Sequence, residues 1–341
     1  MNNNFPKVFI IILNYNGKNT LKECLTGAFQ TDYPNFEVAV VDNNSQDGSF
    51  ELAKNYFPKA HFIKNEKNLG FAAGNNIGIR FALERMADYV FLLNNDAVVS
   101  KNTLSELIKA AQSEELKSAG IFSPVIFKEN TRKIWFAGGK INWLKMRAEH
   151  ITRNAQRATH NAKRATQNAQ RKTRNAKRIT RNLQHKIWNG DKINKLQATD
   201  YKLQTTSYKL QATDYVTGCT MLIKKEVFKK IGLLDENFFL YYEDADFCRR
   251  AGKEGFRSAV VSSAGVKHYE KSEENKRAKT YWLVVSGVYF FRKNSPWFLK
   301  PWIFIYLAAR KIKNKIDLAL GKGGKLAKET ARAYKDVKNA G

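Results

Sequence analysis

Val8-Phe9-Ile10-Ile11-Ile12-Leu13, followed at once by Asn14-Tyr15-Asn16-Gly17, is the stretch whose reading decides the fold. An unbroken apolar run of this length predicts a strand buried on both faces, as in a parallel sheet covered by helices. Outward from it, Leu21, Cys24, Leu25 and Ala28 recur at helical spacing, and Tyr33-Pro34-Asn35 breaks the pattern. Residues 36–41 form a second apolar run that ends in Asp42-Asn43-Asn44-Ser45. A helix over 49–56 and a short strand at His61-Phe62-Ile63 come next. A polar, glycine-bearing stretch over 65–76, a helix over 77–86 and a fourth strand over 89–93 complete the series. This alternation predicts an α/β domain with a mostly parallel sheet, flanking helices and right-handed crossovers.

Every one of these strands ends in a polar cluster: Asn14/Asn16, Asp42/Asn44, Asn65/Asn68 and Asn94/Asp96. In open α/β sheets the ligand crevice lies beyond the carboxyl ends of the strands, so the four clusters converge on one site. One such cluster is ordinary turn chemistry, but four in succession point to a binding site. No phosphate-binding G-x-x-x-x-G-K-[ST] loop is present, and no G-x-G-x-x-G follows the first strand. P-loop nucleotide hydrolysis and NAD-linked redox chemistry are therefore disfavoured. Asp42 can accept hydrogen bonds from a nucleoside, and Asp96 can offer oxygen to a divalent cation.

Downstream, Phe239-Leu240-Tyr241-Tyr242-Glu243-Asp244-Ala245-Asp246-Phe247-Cys248-Arg249-Arg250 places three carboxylates within four residues, among aromatic and apolar neighbours. Carboxylates in such company are costly to bury unless they are paired or used.

Taken in order, several motifs resemble the family 2 glycosyltransferases of GT-A fold, and in particular the rhamnosyltransferase-like branch of bacterial surface polysaccharide synthesis. They are Asn14-Tyr15-Asn16-Gly17, Val40-Val41-Asp42-Asn43-Asn44-Ser45, Asn68-Leu69-Gly70-Phe71-Ala72-Ala73-Gly74-Asn75-Asn76 and Leu92-Leu93-Asn94-Asn95-Asp96. Val216-Thr217-Gly218-Cys219, Gly232-Leu233-Leu234-Asp235-Glu236, the acidic stretch and Val266-Lys267-His268 continue the likeness, which covers about residues 6–146 and 214–295.

The resemblance implies a GT-A, Rossmann-like core in which Asn14, Asn16, Asp42, Asn44, Asn68, Gly70, Asn75 and Asn95 hold a nucleoside-diphosphate sugar. Asn94-Asn95-Asp96 stands where the family carries D-x-D, with the departure that residue 94 is Asn. Metal binding would lean on Asp96, with Asn94 and His268 completing the set and Mn²⁺ or Mg²⁺ as the ion. Asp244 is implied as the catalytic base, Glu243 as its helper or an acceptor-orienting group, and Asp246 as scaffold. The chemistry fits the residues. A leaving diphosphate needs its growing charge stabilised, and an attacking hydroxyl must lose a proton to a base. One base and direct displacement invert the anomeric centre.

The chain has 341 residues, 43% of them apolar, and a formal charge of +28. Residues 147–189 hold twelve Lys and Arg against one acid, Glu149, a net of +11 that leaves +17 elsewhere. That balance calls for a polyanionic neighbour. From Arg153 a basic seven-residue repeat runs through five copies, and from Lys195 a second one, Lys-Leu-Gln-Ala-Thr-Asp-Tyr, runs through three, the last entering Val216. We read 147–213 as a repeat expansion in a surface loop, dividing the core into a donor half (1–146) and an acceptor half (214–280). Ala155, Ala158, Ala162 and Ala165 fit heptad spacing, but alanine buries little and the arginines repel, so a helix or cationic arm is expected rather than a coiled coil. No aromatic residue lies in 151–187 to stack on bases, so nucleic acid is not expected as a partner.

Residues 281–341 are expected to be helical and amphipathic, with Trp, Tyr and Phe beside Lys and Arg as at a membrane interface. No apolar run is long enough to span a bilayer, and Met1–Asn4 leads straight into the first strand, so no leader is expected. Cys24, Cys219 and Cys248 lack metal-like spacing and read as packed thiols. The expectation is a cytoplasmic enzyme, peripheral at the inner face of the cell membrane, using a lipid-linked or polysaccharide acceptor. The alternative is an inactive relative that binds polyanions through its basic insertion.

Overall fold

The computed structural model of the chain describes residues 5–129, 131, 133–152, 213–269 and 276–339. The basic heptads and the first two copies of the second repeat lie outside the described residues. The first half runs β1 (Val8–Asn14), α1 (Leu21–Phe29), β2 (Phe36–Asp42), α2 (Ser49–Tyr56), β3 (His61–Lys64), α3 (Gly70–Glu84) and β4 (Tyr89–Asn94). β1 pairs in parallel with β2 on one side and β4 on the other, and β3 pairs in parallel with β2. That central position is why residues 8–12 are all buried. Leu21, Cys24, Leu25 and Ala28 form the buried face of α1, as their spacing predicts.

Helix α3 begins seven residues earlier than the sequence suggests. Asn75 and Asn76 look like loop residues, yet inside the helix they find partners. Asn75 Nδ2 donates to the Phe71 carbonyl, and Asn76 Nδ2 donates to the Leu234 carbonyl and to Glu236, each at 2.9 Å. Gly78 lets α3 lie directly on the sheet, because a Cβ there would collide with Ile11.

The chain continues through β5 (Ala97–Val99), α4 (Thr103–Ala111), β6 (Ala119–Lys128), β7 (Ile134–Phe136), and the hairpin β8 (Gly139–Asn142) and β9 (Arg147–His150). After the insertion come β10 (Thr220–Lys224), α5 (Lys225–Ile231), α6 (Glu243–Lys253) and β11 (Arg257–His268). Three helices close the chain: α7 (Lys276–Asn294), α8 (Lys300–Ala319) and α9 (Gly324–Asn339). The large sheet has the order β3-β2-β1-β4-β10-β6-β11-β5, with β7 on β6. The expected parallel order holds from β3 to β4. Beyond that the sheet is mixed, because β10 runs antiparallel to both β4 and β6. The returning chain enters at the crevice end, where the Asn94 amide donates to the Cys219 carbonyl at 2.9 Å, and can only run back. This reversal puts Thr217, Gly218 and Cys219 at the mouth of the crevice.

The end of the final repeat copy, residues 213–215, is part of the fold. Tyr215 is buried and bridges Gly139, and Asp214 Oδ2 accepts the Ile141 amide at 2.7 Å. The segment 281–291, read from sequence as interfacial, is largely turned inward. Phe290 and Phe291 are fully buried against Trp143 and Tyr242, because these rings fill the space over the turn that precedes α6. Among the described residues no helix is long and apolar enough to cross a membrane.

Candidate active site

A cavity of about 640 Å³ opens at the crevice end of the sheet. Its wall brings together Asn68, Asn94, Asp96, Gly218, Asp244 and His268, from five separate parts of the chain, with Glu243 beside Asp244. Asp244 and Glu243 occupy the first turn of α6, where the free N–H groups and helix dipole favour negative charge. Asp244 Oδ2 accepts the Gly218 amide at 3.0 Å and Oδ1 accepts the Ala245 amide at 2.7 Å.

The turn that delivers them is strained. Tyr241 and Tyr242 both adopt left-handed backbone conformations, with φ of 69° and 68°, each costing a non-glycine residue about 1–2 kcal/mol. Helix α7 holds the turn down: Ser286 Oγ donates to the Leu240 carbonyl at 2.7 Å, and Phe290 packs on Tyr242.

Burial raises both carboxyls. Glu243 rises well above its ordinary value, by burial first and by the Asp244 charge second. Asp244 is also raised by burial, but its two backbone N–H bonds work the other way. Burial and the Asp244 charge thus favour the protonated form of Glu243 most, while the backbone N–H bonds favour the charged form of Asp244. Asp246 does something else. It is fully buried, paired with Arg250 (2.8 Å) and Lys293 (2.9 Å), and accepts the Asn294 side-chain amide (2.8 Å), so it ties α6 to α7 as the scaffold the sequence predicted.

β11 delivers His268 to Asp96 by pairing antiparallel with β5, His268 opposite Ala97. His268 Nε2 lies 3.3 Å from Asp96 Oδ1. Burial opposes its protonation, but the Cys219 sulfur and the Asp96 carboxylate outweigh that and lift His268 far above the ordinary imidazole range. Beyond that ion pair Asp96 Oδ1 is buried without a further partner, and His268 Nδ1 is buried without a hydrogen bond among the described residues. Among the described residues no three His, Cys, Asp or Glu side chains gather as a metal cage. A cation here would have Asp96 and His268, with Asn94 on the same wall, and would need its remaining donors from a ligand.

The other residues predicted for the nucleotide divide into two sets. Asn14 and Asp42 are fully buried and answer each other: Asn14 Nδ2 donates to Asp42 Oδ1 at 2.8 Å, and Ser45 supplies Asp42 with its amide and hydroxyl. Asn75 is equally enclosed. In this conformation these three do not line the cavity, because protein partners take their polar atoms; they hold the loops. Gly70, with φ of 80°, lets the Phe71 amide reach the Phe239 carbonyl at 2.6 Å, where a Cβ would collide. Asn68 caps that junction by accepting the Gly70 amide at 2.9 Å. Asn16 is exposed, Asn44 and Asn95 are half-buried, and Asn95 Nδ2 donates to Asn14 Oδ1 at 2.9 Å.

Sequence reasoning missed the aromatic lining. Trp135 on β7 packs against His268 and His150, with ring centroids 4.5 and 4.7 Å apart, and Trp282 stacks on Phe239 at 4.3 Å. Only the hydrophobic run around Trp135 could have flagged it, and that run lies in a stretch without a polar motif.

A mixed sheet of this order, with a polar crevice, a carboxylate at a helix start and an Asp–His pair across from it, defines a sugar-transferase architecture of GT-A type. The model of the Glycosyl transferase family 2 matches residues 9–162; the chain is similar to that family and is an enzyme of glycosyl transfer. Over 273 residues it is 24% identical to the low-salt glycan biosynthesis hexosyltransferase Agl10 of Haloferax volcanii, spanning 80% of this chain and 70% of that one. Over 242 residues it is 22% identical to the N-acetylglucosaminyl-diphospho-decaprenol L-rhamnosyltransferase of Mycobacterium tuberculosis, spanning 68% and 66%. Its fold is similar to that of the mannosyltransferase PcManGT from Pyrobaculum calidifontis, solved in complex with GDP-Man and Mn²⁺. That match has a TM-score of 0.53 at 16% identity, over 98% of this chain and 76% of the other.

Proposed function

We propose that this enzyme is an inverting glycosyltransferase. It moves a sugar from a nucleoside-diphosphate donor to a hydroxyl of a lipid-linked or polysaccharide acceptor, at the inner face of the cell membrane. The observation that carries the reading is Asp244, bonded to two backbone amides, in the same cavity as the Asp96–His268 pair. A base on one side and a diphosphate-binding group on the other are what direct displacement requires.

Asp244 takes the proton of the acceptor hydroxyl as that oxygen attacks. Glu243, holding its own proton, adds no second charge beside the base. The left-handed turn at Tyr241 and Tyr242 fixes where the base sits, and Trp282 and Phe239 offer a flat apolar wall to a sugar ring. Asn16, Asn44, Asn68 and Asn95, less enclosed than Asn14, Asp42 and Asn75, are the donor-side groups that would meet a nucleotide. Asn14, Asp42, Gly70 and Asn75 set the loops that carry them.

Asp96, His268 and Asn94 would hold a divalent cation, Mn²⁺ or Mg²⁺, which when bound neutralises charge on the leaving diphosphate. The buried Asp96 Oδ1, whose one recorded partner is His268 at 3.3 Å, supports that fit. His268 must give up its proton to serve as a ligand. The lipid-linked acceptor draws support from the decaprenol-linked substrate in the name of the mycobacterial relative. A transfer and donor-hydrolysis screen with Mn²⁺, run on the parent and on Asp244→Asn, tests the whole reading. Transfer by the parent alone, with donor binding kept in both, upholds it. No turnover by the parent with any common donor would favour an inactive, polyanion-binding relative.

A further inference from the structure

Helix α8 buries one side only. Ile303 and Leu307 face the protein. Trp302 Nε1 donates to the Leu144 carbonyl and Tyr306 Oη to the Lys145 carbonyl, both at 3.0 Å, so the helix is fixed to the β8–β9 hairpin. At 100° per residue the opposite side carries Ile305, Ala309, Ile312, Ile316 and Leu320, spaced four, three, four and four residues apart. The four large members of this stripe are each more than half exposed. Trp297, Phe298 and Phe304, at the start of the helix, are more exposed still. Contiguous apolar surface of this kind marks an interaction site.

The chemistry around the stripe selects the partner. Between residues 300 and 320 there are five Lys and Arg against one acid, Asp317, which Lys313 holds at 2.6 Å. Lys313 lies on one flank of the stripe and Lys315 on the other. A second copy of a chain with a formal charge of +28 would bring like charge against like. An anionic lipid surface would meet the cations with phosphates and the stripe with acyl chain. The helix is also too polar to span a bilayer, which leaves lying in its plane.

We propose that α8 docks the enzyme on an anionic lipid surface, with the stripe from Ile305 to Leu320 entering the interface and the flanking lysines at the headgroups. The hairpin that α8 grips also contributes Ala148 and His150 to the catalytic cavity, so docking would hold the cavity mouth near the bilayer. The choice of a membrane rests on the lipid-linked-acceptor reading above; the stripe itself does not.

The test uses the full chain and the triple variant Ile305→Ser, Ile312→Ser, Ile316→Ser, whose positions are exposed and outside the site. Both are floated with vesicles of phosphatidylglycerol and phosphatidylcholine, and with phosphatidylcholine alone, in salt high enough to screen the basic insertion. The parent is expected to float with the anionic vesicles, and the variant to lose about tenfold or more in partitioning. Brominated phosphatidylglycerol should quench tryptophan fluorescence in the parent and not in the variant. Equal flotation of both proteins, no flotation of the parent, or a parent dimer that the substitutions dissociate would each overturn the proposal. Transfer to a soluble acceptor without vesicles is read in parallel. Its loss in the parent as well would sink the catalytic reading and leave the docking result standing.

Discussion

On one wall of the crevice, built from β1, β2 and the start of α3, the buried polar groups answer one another. Asn14 meets Asp42, Ser45 and Ser49; Asn43 meets Asn65, Asn68 and the Gly70 carbonyl. On the facing wall, Glu243 Oε2 and His268 Nδ1 are buried without a hydrogen bond among the described residues, and Asp96 Oδ1 has only its ion pair with His268. Each such group costs about 1–3 kcal/mol, and the paired left-handed tyrosines add to that. The closed wall shapes the site, and the open wall keeps unsatisfied groups where ligand atoms will come. Substitutions should therefore separate: loss of activity without loss of stability on the open wall, the reverse on the closed one.

The sharpest break of this contrast is Asp244→Asn. Removal of the base should lower kcat about a thousandfold, while donor affinity by titration calorimetry and the melting temperature stay near the parent's. A melting temperature that collapses with the activity would make Asp244 a structural residue. Next comes Asp96→Asn. It takes one charge from the proposed cation site and should cost about a hundredfold in turnover. The Mn²⁺ concentration needed for half-activity should rise in step, and His268 should lose one of the two neighbours, Cys219 and Asp96, that favour its protonated form. Unchanged dependence on added Mn²⁺ would remove Asp96 from the ligand set.

Asn14→Ala probes the other wall. It strips Asp42, Ser45, Ser49 and Asn95 of a shared partner, and should lower stability by about 2 kcal/mol in denaturant unfolding. Turnover by the folded fraction should fall far less than in Asp244→Asn.

The two walls were also unequally legible. The closed wall is local: each strand announces itself by an apolar run and each loop follows within a few residues, so β1 to β4 and their polar ends could be read directly. Even there, Asn75 and Asn76 misled: Asn75 bonds back to Phe71 within the helix, and Asn76 finds its partners in Leu234 and Glu236, some 160 residues away. The open wall is assembled across the chain. The motif around Asp244 is visible, but its Gly218 partner, the β11–β5 pairing that sets His268 beside Asp96, and Trp135 and Trp282 are products of topology. The reversal of β10 follows from where the chain re-enters the sheet, which composition does not encode.

Glu243→Gln tests the division of the proton. The folded protein holds a proton on Glu243 well above the ordinary value of 4.5, and the unfolded chain releases it near that value. Between the two the folded state binds more protons, so stability falls as pH rises from about 4.5 and stays lower beyond the folded value. The Gln variant cannot ionise. Its melting temperature should be less sensitive to pH across this window, and should gain on the parent's as pH rises. Parallel pH curves for the two proteins would place the proton elsewhere.

The smallest effect is expected between two identical stretches of sequence, of which only the end of the second lies among the described residues. Lys195 to Tyr201 and Lys209 to Tyr215 read the same, Lys-Leu-Gln-Ala-Thr-Asp-Tyr. In the second copy Asp214 accepts the Ile141 amide, Thr213 Oγ1 accepts the Gly139 amide, and Tyr215 is buried. Asp214→Ala should therefore cost about 1 kcal/mol, and Asp200→Ala should cost nothing measurable if the first copy is only expansion. Deleting residues 195–208 sharpens the point, because the remaining copy enters Val216 with an unchanged sequence. Shortening the connection alters loop closure by only about 0.2 kcal/mol, so the melting temperature and the soluble-acceptor activity should both hold. A deletion that lowers either one would show that the earlier copies do more than lengthen the connection between Thr152 and Thr213.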